Sequence, residues 1–208
     1  MTLPTLASRR HFLSLSGATL LLAGCSELGG QRPPQLYRLS ARQGEASDLP
    51  AVPWQLIVSE PVAQQSLDTA RIALTRSPTR LDYFADSAWT DRAPTMVQAL
   101  IIEAFENSGR IVAIGRFASD LRADYVLQTE LRDFEARYDG ASTQPPTIEV
   151  RLDAKLVKMP DRDIIGNMIF AQEATSARND VDSIVVAFDE ALNQVLGRLV
   201  AWTVRLPH

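Results

Sequence analysis

Apolar and polar positions follow two different periods along this chain, and the switches between them mark its elements. From Ile148 to Leu156 the period is two. Ile148, Val150, Leu152, Ala154 and Leu156 share one side, while Glu149, Arg151, Asp153 and Lys155 share the other. This predicts a strand with one face in a core and the other in water. Shorter alternations predict strands over 35–39, 54–58, 71–76 and 80–84, with Pro78 separating the last two into a hairpin. Ile111–Ile114 reads as a short buried strand that turns at Gly115. The stretch 124–138 places Leu131 and Phe134 on opposite faces at strict period two, so a bulge is expected near Arg132 or Asp133. A further strand is expected over 163–175, with Ile165, Ile169 and Ala171 inside.

Two segments follow the helical period instead. Met96, Val97, Leu100, Ile101, Ala104 and Phe105 form one apolar stripe, predicting a helix from Pro94 to Ser108. Pro94 suits its first turn, and Gly109 supplies the left-handed terminator. Val181, Ile184, Val185, Phe188, Leu192, Val195, Leu196 and Leu199 predict a longer helix, capped by Asn179 or Asp180 and running to about Trp202. A stripe of this strength could lie on a membrane surface. Its polar side carries Asp182, Asp189 and Glu190 with few cations, which favours packing against a core. Strands, helix, strands, helix is the order of an α+β domain. The expected architecture is a mainly antiparallel sheet of about six to seven strands with both helices on one face.

The N-terminus follows neither period. Arg9 and Arg10 precede an uncharged apolar run from Phe12 to Ala23, the layout of a secretory signal. A membrane span needs about 20 apolar residues, more than this run provides. Leu22-Ala23-Gly24-Cys25 resembles the bacterial lipobox, which implies diacylglycerol on the Cys25 sulfur and cleavage just before it. Ser8-Arg9-Arg10-His11-Phe12-Leu13 resembles the twin-arginine export signal, with Ser14 departing from the lysine common there; a general-secretion signal stays open beside it. Residues 26–34 form a polar tether bearing glycine and proline. The chain thus divides into a signal peptide over 1–24, a tether over 25–34 and a single domain over 35–208. In enteric-type lipoproteins Ser26, rather than aspartate, implies release to the outer membrane. One acyl chain holds a protein only marginally, whereas two or more anchor it stably, each buried methylene adding about 0.8 kcal/mol.

Charge and chemistry narrow the function. The full chain has 21 basic and 25 acidic residues, for a net charge of −4. Arg9 and Arg10 leave with the signal, so the remainder is more acidic still. A nucleic-acid partner calls for a concentrated basic footprint, and this chain has none. The two histidines are His11, inside the signal, and His208, the last residue, and Cys25 is the single cysteine. A histidine-based triad, a Cys-His site or a thiolate metal centre cannot be built from this set, so no metal and no cofactor are expected. Two carboxylate groups, Asp82, Asp86 and Asp91, and Glu130, Asp133 and Glu135, could support acid-base chemistry, but solvated surface is the stronger reading. Tyr83, Phe84, Trp89 and Trp54 are weighed as core or rim before recognition surface.

Tyr37-Arg38-Leu39, Leu81-Asp82-Tyr83-Phe84 with Ala88-Trp89, and the helix from Thr95 to Ser108 begin a series. Ala123-Asp124-Tyr125-Val126-Leu127 through Leu131-Arg132-Asp133-Phe134-Glu135, the charged alternating strand and the last helix complete it. Together they resemble the ABC-type transport auxiliary lipoproteins of the paraquat-inducible protein C type. The order of elements also looks like that of the N-terminal domain of TolB. The resemblance implies a non-catalytic subunit anchored in the outer membrane and facing the periplasm. Its partners would be an Mce-domain protein with an ABC permease and ATPase that move lipid between membranes, and a homo-oligomer stays open. Two other readings stand beside it. One is an envelope-assembly or peptidoglycan-synthase-activating lipoprotein of similar fold; the other is a carboxylate-based hydrolase.

Overall fold

The structure is a computed structural model that describes residues 33–42, 48–117, 122–140 and 143–206. Arg9, Arg10 and the Leu22-Ala23-Gly24-Cys25 motif lie outside the described residues. Nine strands, β1 Gln35–Tyr37, β2 Val52–Val58, β3 Val62–Ala63, β4 Arg71–Ser77, β5 Arg80–Trp89, β6 Ile111–Gly115, β7 Tyr125–Arg137, β8 Thr147–Lys158 and β9 Asp163–Thr175, form one sheet. Two helices, α1 Ala93–Ser108 and α2 Val181–Arg205, back it.

The sheet is built on β7. Along one edge β7 pairs with β8 antiparallel over its whole length, from Tyr125↔Lys158 to Arg137↔Thr147. Its other edge is shared by three strands in succession: β2 at Leu56↔Tyr125, β3 at Val62↔Glu130 and β4 at Ala73↔Glu135, all parallel to it. β6 extends the sheet beyond β2, and β1 beyond β5, again in parallel. A nine-stranded mixed sheet therefore replaces the expected mainly antiparallel, TolB-like sheet of six to seven strands, while the α+β class stands. Alternation reveals which face of a strand is buried, but not which strand lies beside it. Only the β4–β5, β7–β8 and β8–β9 pairs, each close in sequence, are antiparallel.

One face of the sheet carries the core. Ile148, Val150, Leu152, Ala154 and Leu156 are buried there as expected. On β7 the buried set runs Tyr125, Leu127, Leu131 and then Phe134 and Ala136, changing parity across a register shift between Leu131 and Asp133. That is the bulge demanded by the sequence. α2 packs over β8 and β9, α1 packs over β6 and β2, and the helices touch each other. Trp89, Phe134 and Phe188 form a closed three-ring cluster with centroids 5.0–5.6 Å apart, joining β5, β7 and α2. Trp54 stacks edge-on against Tyr125 at 4.9 Å. The aromatics at 54 and 89 are thus core, whereas Tyr83 and Phe84 are half-buried at its margin.

The helix ends follow local rules. The Asp180 carboxylate accepts from the Ser183 amide at 2.8 Å, and that bond, with Arg178 beside it, lowers its pKa to about 2. Gly109 closes α1 with φ 60°, ψ 21°, where a β-carbon would be strained. Two strands depart from expectation. β6 is an edge strand with Val112 70% exposed, because it pairs only with β2. In β9, Phe170 is buried while Ile169 and Ala171 are exposed. The reason is a second bulge: Leu156 faces Gly166 but Val157 faces Ile164, so Ile165 is the extra residue and the parity changes there.

Candidate functional site

The chain reaches the body through residues 35–42, and these are fastened to α2 by side chains that the helix presents beside its apolar stripe. Asp182, Asp189 and Asn193 fall seven and eleven residues along, on one face of α2. The Tyr37 hydroxyl donates to Asp182 at 2.7 Å. Burdened mainly by that neighbouring carboxylate, the phenol has its pKa raised. The Ser40 amide and hydroxyl donate to one Asp189 oxygen at 2.7 and 2.9 Å, and the Arg42 guanidinium donates to the other at 2.9 Å. Asn193 completes the clamp by accepting from the Arg42 amide at 2.7 Å and donating to the Ser40 carbonyl at 3.0 Å. Between these polar ties, Leu39 and Ala41 are buried in the core, so the strap alternates core, helix, core, helix.

Asp182 and Asp189 are the acids that the sequence places on a wet helix face. The fold ties both to the strap, Asp182 while still exposed and Asp189 half-buried beneath it. Asn193 is missed altogether. The spacing 182, 189, 193 is visible in the chain, but its partners lie 145–153 residues away. Because the Asp189 side chain is only 17% exposed, truncating it strands a backbone amide as well as breaking an ion pair. Asp189→Ala should lower the unfolding free energy by about 2–3 kcal/mol, read by urea titration, whereas Glu190→Ala, one residue along, should be near neutral.

Beside the strap, α1 and α2 leave a groove of about 280 Å³. Ala104, Leu196 and Val200 form its apolar floor, while Arg42, Asn193 and Arg205 stand at its rim. The opposite face of the sheet is different in kind. It holds a small apolar cluster, Ile57, Val126 and Val157, and otherwise a ladder of charges. Arg137 bridges Asp139, Glu149 and Glu173, which raises its pKa further, and Arg132 joins Asp153 to Glu130. Three of the six carboxylates considered for catalysis sit in such pairs, while Asp91 accepts from the Arg92 backbone amide and Asp86 forms no ion pair among the described residues. Asp82 lies between Arg76 and Arg80, Glu130 pairs with Arg132 and Asp133 with Arg151. Glu135 is half-buried, and burial raises its pKa against an opposing hydrogen bond from Thr75. Among the described residues no group of three or more His, Cys, Asp or Glu could hold a metal ion, and no helix is long and apolar enough to cross a membrane.

These features define an α+β module whose entry segment is locked to α2, the longer of its two described helices. Residues 37–200 match the ABC-type transport auxiliary lipoprotein component family, and the chain belongs to that family. The crystal structure of protein XCC0632 from Xanthomonas campestris, assigned to family DUF330, is similar at 32% identity. It has a TM-score of 0.76 and covers 82% of this chain and 94% of that one. A second solved structure, of an uncharacterized protein, shares the fold at 14% identity and TM-score 0.64, covering 83% and 99% of the two chains. The protein bll6063 of Bradyrhizobium diazoefficiens is 29% identical over 187 residues, 88% of this chain and 49% of its own length. The chain therefore spans about half the length of that relative.

Proposed function

We propose that this transport auxiliary lipoprotein is a non-catalytic docking subunit, anchored through lipid on Cys25 in the outer membrane and gripping an Mce-domain protein that works with an ABC permease and ATPase. The observation that carries the reading is the strap. Gln35 stands ten residues after Cys25. Ten residues reach at most about 35 Å, whatever their conformation. Three residues of the strap that follows, Tyr37, Ser40 and Arg42, are bound by Asp182, Asp189 and Asn193, so a pull on the anchor is delivered to α2 and the core it fills. A tether that short and an attachment that firm suit a part that holds a partner near a membrane. The absence of histidine between positions 11 and 208 supports a holding role over a catalytic one. The unit Pro34–His208 is the compact body such a subunit needs.

Crosslinking in intact cells followed by capture from detergent-solubilised envelope tests this. An Mce-domain protein, permease and ATPase should be recovered with the full chain. Recovery of peptidoglycan synthases without any Mce-domain protein would move the chain to the envelope-assembly reading.

A further inference from the structure

β9 is the last strand of the sheet, and among the described strands only β8 pairs with it. The ladder fixes which of its backbone groups are used. The Ser176 amide donates to the Pro146 carbonyl at 3.0 Å, and the β8–β9 register continues from there without interruption to Leu156↔Gly166. In an antiparallel ladder hydrogen-bonded pairs alternate, so the even-numbered residues from Gly166 to Ala174 bond to β8. The odd-numbered ones turn their N–H and C=O outward. α2 and a neighbour already cover part of that row. Arg198 donates to the Ala171 carbonyl at 2.7 Å, and the Gln172 side-chain Nε2 donates to the Glu173 carbonyl at 2.9 Å. Asn167 and Ile169 have no such cover among the described residues. This open stretch is also apolar, with Ile164, Met168 and Ile169 between 45% and 61% exposed. Bare edges of this kind are ordinarily blunted.

A groove of about 490 Å³ runs between this edge and the end of α2, floored by Met168 and Phe170 and walled by Trp202 and Leu206. Trp202 meets Phe170 edge-on at 5.7 Å. Gly166 lets the helix end come this close, since a β-carbon there would stand 2.9 Å from Leu206. Two cations, Arg198 and Arg205, line the groove on the helix side, and no acid lines it. Lys155 stands on the other side of the same edge, next to Asn167 and Ile169, with the ion-paired Asp153. Arg205 and Lys155 make no hydrogen bond or ion pair among the described residues.

We propose that this edge and groove bind an extended, acid-flanked apolar segment of a partner polypeptide, which adds as a tenth strand beside Asn167 and Ile169. Main-chain bonds to the open row supply affinity, and alternate side chains enter the groove against Trp202 or lie over Ile169. The uncompensated cations select acidic flanks. Self-pairing of two β9 strands about Ile169 is disfavoured. It would displace both Arg198 contacts with Ala171 and bring the cations of two copies together. The proposal is independent of which transport partners the subunit serves.

The test uses the full chain in detergent and a synthetic peptide of alternating valine and threonine flanked by glutamate pairs, with a lysine-flanked twin. Residue-resolved amide exchange on the free protein should show Asn167 and Ile169 exchanging at least ten times faster than Met168 and Phe170. The acidic peptide should slow those two amides about tenfold, and its twin should not. Arg205→Glu should reverse the preference between the peptides. Ile169→Pro, which removes an outward N–H and spares the ladder, should weaken binding at least tenfold; if that variant is unfolded, the Arg205→Glu reversal decides. Equal binding of both peptides, or no slowing at Asn167 and Ile169, overturns the proposal. Concentration-dependent protection of these amides without peptide also overturns it, because the occupant would then be a second copy of this chain.

Discussion

Ile101→Asp is expected to abolish the folded state. Ile101 is fully buried on α1, flanked one turn away on each side by Val97 and Phe105, both equally buried. The isoleucine itself contributes about 1.5–3 kcal/mol by leaving water. A carboxylate in its place loses that and adds several kcal/mol for burying a charge, or the cost of taking up a proton to avoid it. The sum is comparable to the entire stability of a typical domain, about 5–15 kcal/mol. Far-ultraviolet dichroism should show no cooperative urea transition. Ile101→Val is the control: it removes one methyl group and should cost only about 0.5–1.5 kcal/mol. If Ile101→Asp melted cooperatively with near-native stability, the position assigned to α1 against β2 and β6 would be wrong.

Cys25→Ser should move the protein from the membrane pellet to the soluble fraction. Serine preserves size and polarity but lacks the thiol that the lipobox chemistry needs. No helix among the described residues offers a substitute anchor. Two or more acyl chains anchor a protein stably, while a body without them relies on charge. With 25 acidic against 21 basic residues, the whole chain offers little attraction to an anionic surface. Fractionation of native and variant cells, with mass analysis of the native N-terminal peptide, reads the result. A variant that stayed in the pellet at high salt would show that something besides Cys25 holds the chain.

The two bulges show where reading by pattern succeeds and where it fails. On β7, Leu131 and Phe134 are both large and apolar, three residues apart, so a strand that buries both must carry an extra residue between them. On β9 the equivalent signal is absent. Ile164, Ile165, Met168, Ile169 and Phe170 offer an apolar residue to either face, and strict alternation from Ile165 chooses Ile169. The structure chooses Phe170, because the bulge at Ile165 shifts the register and Trp202 of α2 waits above Phe170. The exposed Ile169 and its open edge were therefore not legible from the chain.

By itself, the sequence determined the quantities that depend on neighbours within a few turns. These include the approximate spans of α1 and α2, a cap at Asn179 or Asp180, the Gly109 stop, the inward row of β8 and the β4–β5 hairpin. Each reflects local geometry repeated at period two or 3.6. Only the tertiary structure decided that β2, β3 and β4 line up in parallel along one edge of β7, and that Asp182, Asp189 and Asn193 hold the strap. Those arrangements join residues far apart in the chain, and a carboxylate on a helix reads the same in sequence whether water or a strand amide will come to meet it.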